Sequence, residues 1–430
     1  MFHNTNKQKV LILGFLIFLS ILPFLWLFTQ MDMLGGFIPA LANISGLIGA
    51  TFMLWQFVLG IRFISRKLTP DYISLTRFHI FLGLYGMALV FMHPFLETTT
   101  YGIDLLLSLP DISSEFSLHV TLGRIAFSLF IFVWFFAAFL RKKVAYRYWL
   151  YTHYLTYPIL ALVFLHAREI GTFINSFSGI QAYWLFLTAV FGLIVLWRVL
   201  KYANVGKASY RLHSKKTLES DITEYTFKPI KGHLHPNPGQ FAYIRKGFFS
   251  EAHPFSIMRF NQDNGHLTFA IKAVGRYTNQ LESLTKGDRV FLDGPYGVFT
   301  KEGQNAEPKI IIAGGIGVTP FVELVNRFGD DNTFMFYCNR TLSEAVNRDE
   351  FIKELGDQYI DAVSREKVKK KTVIQGRLDR NSFLKYVSKD FVKSANIFIC
   401  GSPAFMASVQ KMLSDLDVPK TRTYSEEFSL

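Results

Sequence analysis

The chain has only two cysteines, Cys338 and Cys400, so neither a disulfide framework nor a Cys-x-x-Cys metal site is available to its 430 residues. That poverty fits a reducing compartment. Acids are also scarce, 33 against 46 Lys and Arg, which leaves a formal net charge of +13. Such a balance would suit nucleic acid, but the bases gather at the ends of apolar runs, where membrane topology accounts for them, and no nucleic-acid partner is expected. The stretch from Glu97 to Ser117 has no base at all and four acids. What is abundant is apolar: half the residues are hydrophobic and 44 are Phe. They crowd into residues 1–200, whereas from about Lys201 the chain alternates charged, Gly-rich and short apolar segments like an α/β enzyme.

A membrane-spanning helix needs about 20 apolar residues. Six stretches qualify: Val10–Phe28, Phe37–Gly60, Ile73–Phe95, Leu118–Leu140, Trp149–Ala167 and Ala182–Leu200. The first follows Lys7 and Lys9 but has no small-residue cleavage pattern close behind it, so it reads as a span rather than a secretory signal. Lys and Arg cluster in Arg62–Lys67, Arg141–Arg147 and Arg198–Lys207. By the positive-inside rule both termini and the second half are cytoplasmic in a multi-pass cell-membrane protein, and the acidic loop faces outside.

Ionisable groups inside spans are costly and usually functional. Spans three and five carry His79 and His93, and His153 and His166. In each helix one His lies in the inner part and the other near the outer end, so two facing helices would supply two bis-imidazole sites for haem iron. Separations of 14 and 13 residues place each pair about 20 Å apart along its axis. Fourteen steps return a side chain to within about 40° of its starting direction, but thirteen leave it about 140° away. Ideal geometry therefore fails for span five, and Pro158 between its two histidines is the expected kink. His119 has no comparable partner, and Arg77 and Arg124 are candidates for haem propionates or for interfacial snorkelling.

From Ser209 to about Phe299 short strands and turn signals, Pro236-Asn-Pro-Gly239 among them, suit a small β-barrel. Within it, His253-Pro254-Phe255-Ser256 sets a hydroxyl and an aromatic beside a basic group, as a flavin requires. Gly275-Arg276-Tyr277-Thr278 leads into a short helix that Thr278 would cap, with its N-terminus toward a pyrophosphate. Farther on, Lys309–Pro320 is a buried strand running into a turn with Gly314, Gly315 and Gly317, then Thr319 and a helix, the context of a dinucleotide phosphate loop without its usual third glycine. Thr333–Asn339 is a second strand ending at Arg340, where a guanidinium favours the extra phosphate of NADPH. Asn396–Pro403 is a third strand, carrying Cys400 and Gly401. Cys400 is either a neighbour of the nicotinamide or a buried structural thiol.

Taken in order, the His pairs, His-Pro-Phe-Ser, Gly-Arg-Tyr-Thr, Gly-Gly-Ile-Gly-Val-Thr-Pro, Asn-Arg and Cys-Gly-Ser-Pro resemble the NADPH oxidase and ferric reductase superfamily, from about Ile44 to Leu430. The closest likeness is to compact bacterial NADPH oxidases. The resemblance implies a multi-domain protein: a six-helix transmembrane bundle with two b-type haems over residues 1–206, a β-barrel FAD-binding domain over 207–302, and an α/β Rossmann-like NAD(P)H-binding domain over 303–430. It implies that His79 and His153 ligate an inner haem and His93 and His166 an outer one. His253, Pro254, Phe255 and Ser256 would hold FAD, with Arg276, Tyr277 and Thr278 toward its phosphates. Gly314, Gly315, Gly317, Thr319, Arg340, Cys400 and Gly401 would hold NADPH, and Phe428 would cover the flavin. Ser256, Cys400 and Phe428 would stand nearest the hydride path. Some members place an aromatic between the haems six residues after the inner ligand of span five, and here Ile159 stands there.

The implied activity moves electrons from NADPH through FAD and two haems to an external acceptor, oxygen giving superoxide in the first reading. Ferric or other metal reduction along the same path is the alternative. A non-enzymatic membrane carrier or sensor with a nucleotide-binding tail is the remote one.

Overall fold

The computed structural model describes residues 4–61, 72–141, 143–247 and 250–427. The chain divides into a helical unit, Phe2–Val199, and a second unit that begins at Leu200 and runs to the C-terminus.

The helical unit is built from α1 (Asn4–Trp26), α2 (Phe37–Leu59), α3 (Tyr72–Tyr101), α4 (Glu115–Phe135), α5 (Tyr146–Tyr154), α6 (Thr156–Ile170) and α7 (Ser178–Tyr202). Among the described residues five helical stretches are long and apolar enough to cross a membrane: Leu11–Met33, Phe37–Leu59, Phe78–Tyr101, Glu115–Leu140 and Ser178–Tyr202. The expected span Trp149–Ala167 is not a single helix. It breaks at Leu155, whose N–H bonds back only three residues to the Thr152 carbonyl at 3.1 Å. The break precedes Pro158, which is the third residue of α6 and sits where a helix has no use for an N–H. The expected kink thus falls a turn earlier than the proline, and α5 and α6 orient their side chains independently.

A core of Leu47, Leu54, Phe57, Leu160, Phe164, Trp184 and Phe191 holds α2, α6 and α7 together, with Phe164 packing on Trp184 at 4.9 Å. The outward faces are apolar as well: Leu84, Phe132 and Leu193 are 56%, 45% and 65% exposed. A water-soluble bundle buries such residues, whereas hydrocarbon accepts them. Where α2 and α3 touch, glycines replace side chains: a Cβ on Gly49 would lie 2.8 Å from Val90 Cγ2. Small residues of this kind let helix backbones approach in lipid.

The second unit contains two sheets. The first is antiparallel, with strands β1 (Ala208–Glu219), β2 (Ile222–Lys231), β3 (Phe241–Arg245), β4 (Ala252–Ser256), β5 (Arg259–Phe260), β6 (Leu267–Lys272) and β7 (Arg289–Tyr296) in the order β4-β3-β7-β1-β2-β6-β5. The ladder runs from β4 to β5 as a seven-stranded antiparallel sheet. The second sheet is parallel: β8 (Lys309–Gly314), β9 (Thr333–Asn339), β10 (Tyr359–Val363), β11 (Val373–Gln375), β12 (Asn396–Gly401) and β13 (Thr423–Glu427), ordered β11-β10-β9-β8-β12-β13. Its strands are continuous apolar runs such as Ile310-Ile311-Ile312, all fully buried, because helices cover both faces of a parallel sheet.

One core spans both sheets: Ile222, Met258, Ala270 and Phe299 pack with Ile311, Val318, Phe321 and Leu324. Over it lies a polar clamp. Arg259 at β5 makes a two-pronged ion pair with Glu350 of α8 (Arg348–Leu355), and Asn326 and Asn347 donate to the same carboxylate at 2.7 and 3.0 Å. The ion pair holds the Arg259 guanidinium above its ordinary pKa and the Glu350 carboxyl below its own. Nearby, Arg327 stacks on Phe260 at 4.4 Å and pairs with Glu323 at 2.7 Å. Glu350→Gln removes the charge from a half-buried, charge-assisted hydrogen-bond network and is expected to destabilise this unit by about 2 kcal/mol. The check is the shift of its unfolding midpoint in denaturant.

Candidate functional site

Inside the helical unit the four histidines form two facing pairs. His79 of α3 and His153 of α5 have ring centres 6.1 Å apart at 60°, and His93 of α3 and His166 of α6 have ring centres 6.4 Å apart at 74°. An iron bound by two imidazoles separates their centres by about 6 Å, from roughly 2 Å per metal–nitrogen bond and roughly 1 Å from nitrogen to ring centre. The residues therefore fit a bis-imidazole iron at both levels. Among the described residues no group of three or more His, Cys, Asp and Glu is arranged to hold a metal.

The pair His93 and His166 is held by a device that occurs twice. His93 Nδ1 lies 2.9 Å from the Ala42 carbonyl of α2, and a Cβ on Gly46, one turn on, would sit 3.0 Å from the same ring. His166 Nδ1 lies 2.8 Å from the His119 carbonyl of α4, and a Cβ on Gly123, again one turn on, would sit 2.4 Å from Nδ1. Each glycine removes the side chain that would cover the carbonyl of the residue four before it. A ring donating through Nδ1 keeps its Nε2 lone pair for a metal. His119 thus serves through its backbone; its own Nδ1 lies 2.8 Å from the Glu115 carbonyl. Arg124 donates to Ser108 Oγ at 3.1 Å, and the side chain of Arg77 lies outside the described residues. In the pair His79 and His153, by contrast, His153 Nδ1 is buried without a hydrogen-bond partner among the described residues.

In the antiparallel sheet β4 is an edge strand, which is why Pro254 is tolerated there. Successive residues alternate: His253 and Phe255 lie over Tyr277, at 4.1 Å and 6.2 Å, both nearly parallel to it, while Ser256 is buried. Tyr277 is itself buried, and its hydroxyl donates to the Ile244 carbonyl at 2.5 Å. The expected cap is corrected by one turn. The helix Arg276–Glu282 has Gly275 as its N-cap, and Thr278 sits at the third helical position, where its hydroxyl accepts from the N–H groups of Val274 and Gly275 at 3.0 Å each. Glu251 was not anticipated. Its carboxylate accepts from Arg276 at 2.9 Å and lies 3.2 Å from His253 Nε2, so it ties the two basic groups of both motifs together. It lies two residues before His253, and that spacing on a strand was the available signal.

In the parallel sheet the candidate residues meet at the C-terminal ends of β8 and β12, which are neighbours. Gly315 follows β8 with φ +54°, a left-handed backbone, and opens a turn that becomes the helix Val322–Phe328. Gly317 passes so close to β12 that a Cβ would lie 2.5 Å from the Cys400 carbonyl oxygen. Gly314 and Gly401 are both covered by the Phe405 ring. Thr319 is buried and donates to the Ile316 carbonyl at 3.1 Å, bracing the turn. Arg340 is exposed just beyond β9, its carbonyl accepting the Arg365 N–H at 2.8 Å. The Cys400 thiol is fully buried, and burial with the Glu426 carboxylate beside it pushes its pKa well above the ordinary thiol value. Glu426 is the second residue missed in the sequence: β13 pairs it with Cys400, and burial raises its carboxyl to about 7. Phe428 lies outside the described residues.

Because Glu426 holds its proton to about pH 7 in the fold but loses it near 4.5 when unfolded, its ionisation opposes folding increasingly as pH rises through that window. Glu426→Gln, which cannot ionise, is expected to match the parent's melting temperature at pH 4 and exceed it at pH 8, measured by thermal unfolding at both values.

Comparison with known proteins yields three consecutive family matches. Residues 45–164 match the ferric reductase like transmembrane component, residues 208–314 an FAD-binding domain, and residues 311–411 the oxidoreductase NAD-binding domain. The chain is 25% identical over 225 residues to the reductase component of propane 2-monooxygenase from Mycolicibacterium goodii, a match covering 49% of this chain and 64% of that one. It is 24% identical over 249 residues to a flavohemoprotein of Bordetella pertussis, covering 52% of this chain and 61% of that one. Among solved structures, the FAD/NAD-binding domain of nitric oxide dioxygenase from Vibrio cholerae aligns with 52% of this chain and 98% of its own, at 20% identity and a TM-score of 0.46. A ferric reductase-like membrane component followed by FAD-binding and NAD-binding oxidoreductase domains is the architecture of the NADPH oxidase and ferric reductase superfamily, and it is the architecture of this chain.

Proposed function

We propose that this protein is a flavocytochrome b of the cell membrane, taking electrons from NADPH on the cytoplasmic side and passing them through FAD and two b-type haems to oxygen outside, with superoxide as product. The observation that carries the reading is the pair of facing imidazoles at each of two levels, at the separation a shared iron needs. When bound, the flavin takes two electrons from the nicotinamide as hydride and the haem irons take them one at a time.

Each residue has a task in this reading. His79 with His153, and His93 with His166, would each supply two imidazoles to one iron, their ring centres 6.1 and 6.4 Å apart. The carbonyls of Ala42 and His119 hold the outer rings in the tautomer that presents Nε2. His253, Pro254, Phe255, Ser256 and Tyr277 line the flavin site, where Ser256 brings a hydroxyl and Arg276 and Thr278 stand toward its phosphates. Gly314, Gly315, Gly317, Thr319 and Gly401 shape the dinucleotide turn, and Arg340 meets the extra phosphate of NADPH. Cys400 stands at the nicotinamide end, with Glu426 beside it holding a proton near neutral pH. Phe428 covers the flavin. Residues 1–206, 207–302 and 303–430 are the three domains. Basic residues at one set of helix ends and acids in the Glu97–Ser117 segment support cytoplasmic termini.

Reduction of ferric iron along the same path is the second reading, favoured by the exposed acids Asp104, Asp111 and Glu115 in that segment. With NADPH and FAD supplied to the purified chain, reduction of cytochrome c that superoxide dismutase abolishes supports oxygen as acceptor; trapped ferrous iron that is insensitive to dismutase supports the metal. Pyridine haemochrome assay is expected to find two haems in the parent chain and about one in His93→Ala or His153→Ala. Gly123→Ala is expected to resemble the loss of the outer ligand, since its methyl would occupy the ring's place. Absence of haem from fully reconstituted protein sinks the proposal.

A further inference from the structure

The two histidine pairs are anchored differently. The outer rings are tied to the neighbouring helices by Nδ1 contacts with the carbonyls of Ala42 and His119. Among the described residues His153 has no such tie: its Nδ1 is buried with no hydrogen-bond partner there. What it does have is Trp149, one turn earlier on α5, whose indole lies nearly parallel to the imidazole, at 18°, with ring centres 5.2 Å apart. The guanidinium of Arg141 sits 5.1 Å from the centre of the same indole. An indole with a cation against it is held in place electrostatically, and a flat ring stacked on an imidazole resists its rotation about the Cβ–Cγ bond. A hydrogen bond to a neighbouring helix fixes a ring relative to that helix. A stack within α5 fixes it relative to α5 itself.

We propose that Trp149, braced by Arg141, is the positioning residue of the inner site, setting the plane of the His153 imidazole by stacking where the outer site uses carbonyl hydrogen bonds. The proposal rests on the reading that His79 and His153 share a haem iron. Trp149 acts through His153, on which it stacks. The plane of an imidazole bound to iron would govern its overlap with the metal orbitals, so with haem bound the spectroscopic signature of the His79–His153 site would depend on Trp149 and that of the His93–His166 site would not.

The test is low-temperature electron paramagnetic resonance of the oxidised, haem-loaded full chain, with haem counted by pyridine haemochrome. His153→Ala identifies the signals: the low-spin signal that it retains belongs to the outer site. Trp149→Ala is expected to shift or broaden only the other signal, and Trp149→Phe, which keeps a flat ring, is expected to restore it. If Trp149→Ala leaves both signals at their parent positions with both haems bound, or disturbs the outer one, the proposal fails. If Trp149→Ala loses a haem, Trp149→Phe decides: both haems with parent signals support the stacking role, and the same loss overturns it. A parent chain that holds no haem at all is a different result, because it removes the underlying reading before Trp149 is tested.

Discussion

An imidazole buried in hydrocarbon has two nitrogens and no water to satisfy them, and that constraint organises the helical unit. The His93 and His166 rings meet it with borrowed lone pairs. A helical carbonyl already accepts one bond from the residue four ahead, yet it keeps a second lone pair, and a glycine at that fourth position opens the way to it. Ala42 with Gly46, and His119 with Gly123, are two copies of the arrangement on two different helices. The two rings have their centres 6.4 Å apart, about the separation of two imidazoles that share a metal. Without that second partner the facing rings would be poorly solvated donors and acceptors in an apolar bundle, which is a costly thing to retain.

The second unit obeys a different constraint, the joining of two sheets that must present their sites to one another. Apolar side chains from the antiparallel sheet enter the core beneath the parallel one, and the Arg259–Glu350 clamp with its two asparagines closes over that seam. Nondirectional burial draws the sheets together, while the ion pair, with its fixed fork geometry, selects one orientation. Within the parallel sheet, β8 and β12 pair side by side, and the turn after β8 brings Gly317 against the Cys400 carbonyl.

Much of this was legible in the residues. The long apolar runs declare helices in lipid, and their positions agree with the five long helices to within a few residues at most ends. The Gly-rich turn after Lys309–Gly314 also lies where its strand-then-helix pattern places it. Other features were illegible for physical reasons. Thirteen residues between His153 and His166 conflict with an ideal helix, and nothing in the local sequence says that the helix tightens and breaks at Leu155 rather than at Pro158. Thr278 has the chemistry of an N-cap, but whether a hydroxyl caps from the first position or closes a box from the fourth depends on where the backbone turns. Glu251 and Glu426 were not singled out, because partners come to them from elements distant in sequence or from the neighbouring strand.

Composition and periodicity, which are properties of neighbouring residues, were enough to determine that this chain has an apolar helical half, a strand-rich half with nucleotide-type turns, and four histidines at matched depths. Which imidazole faces which, how each is braced, and which carboxyl keeps its proton are decided by contacts between segments tens of residues apart. Those contacts exist only after packing has brought the segments together, because burial and short-range hydrogen bonding act on distance in space and not on distance along the chain.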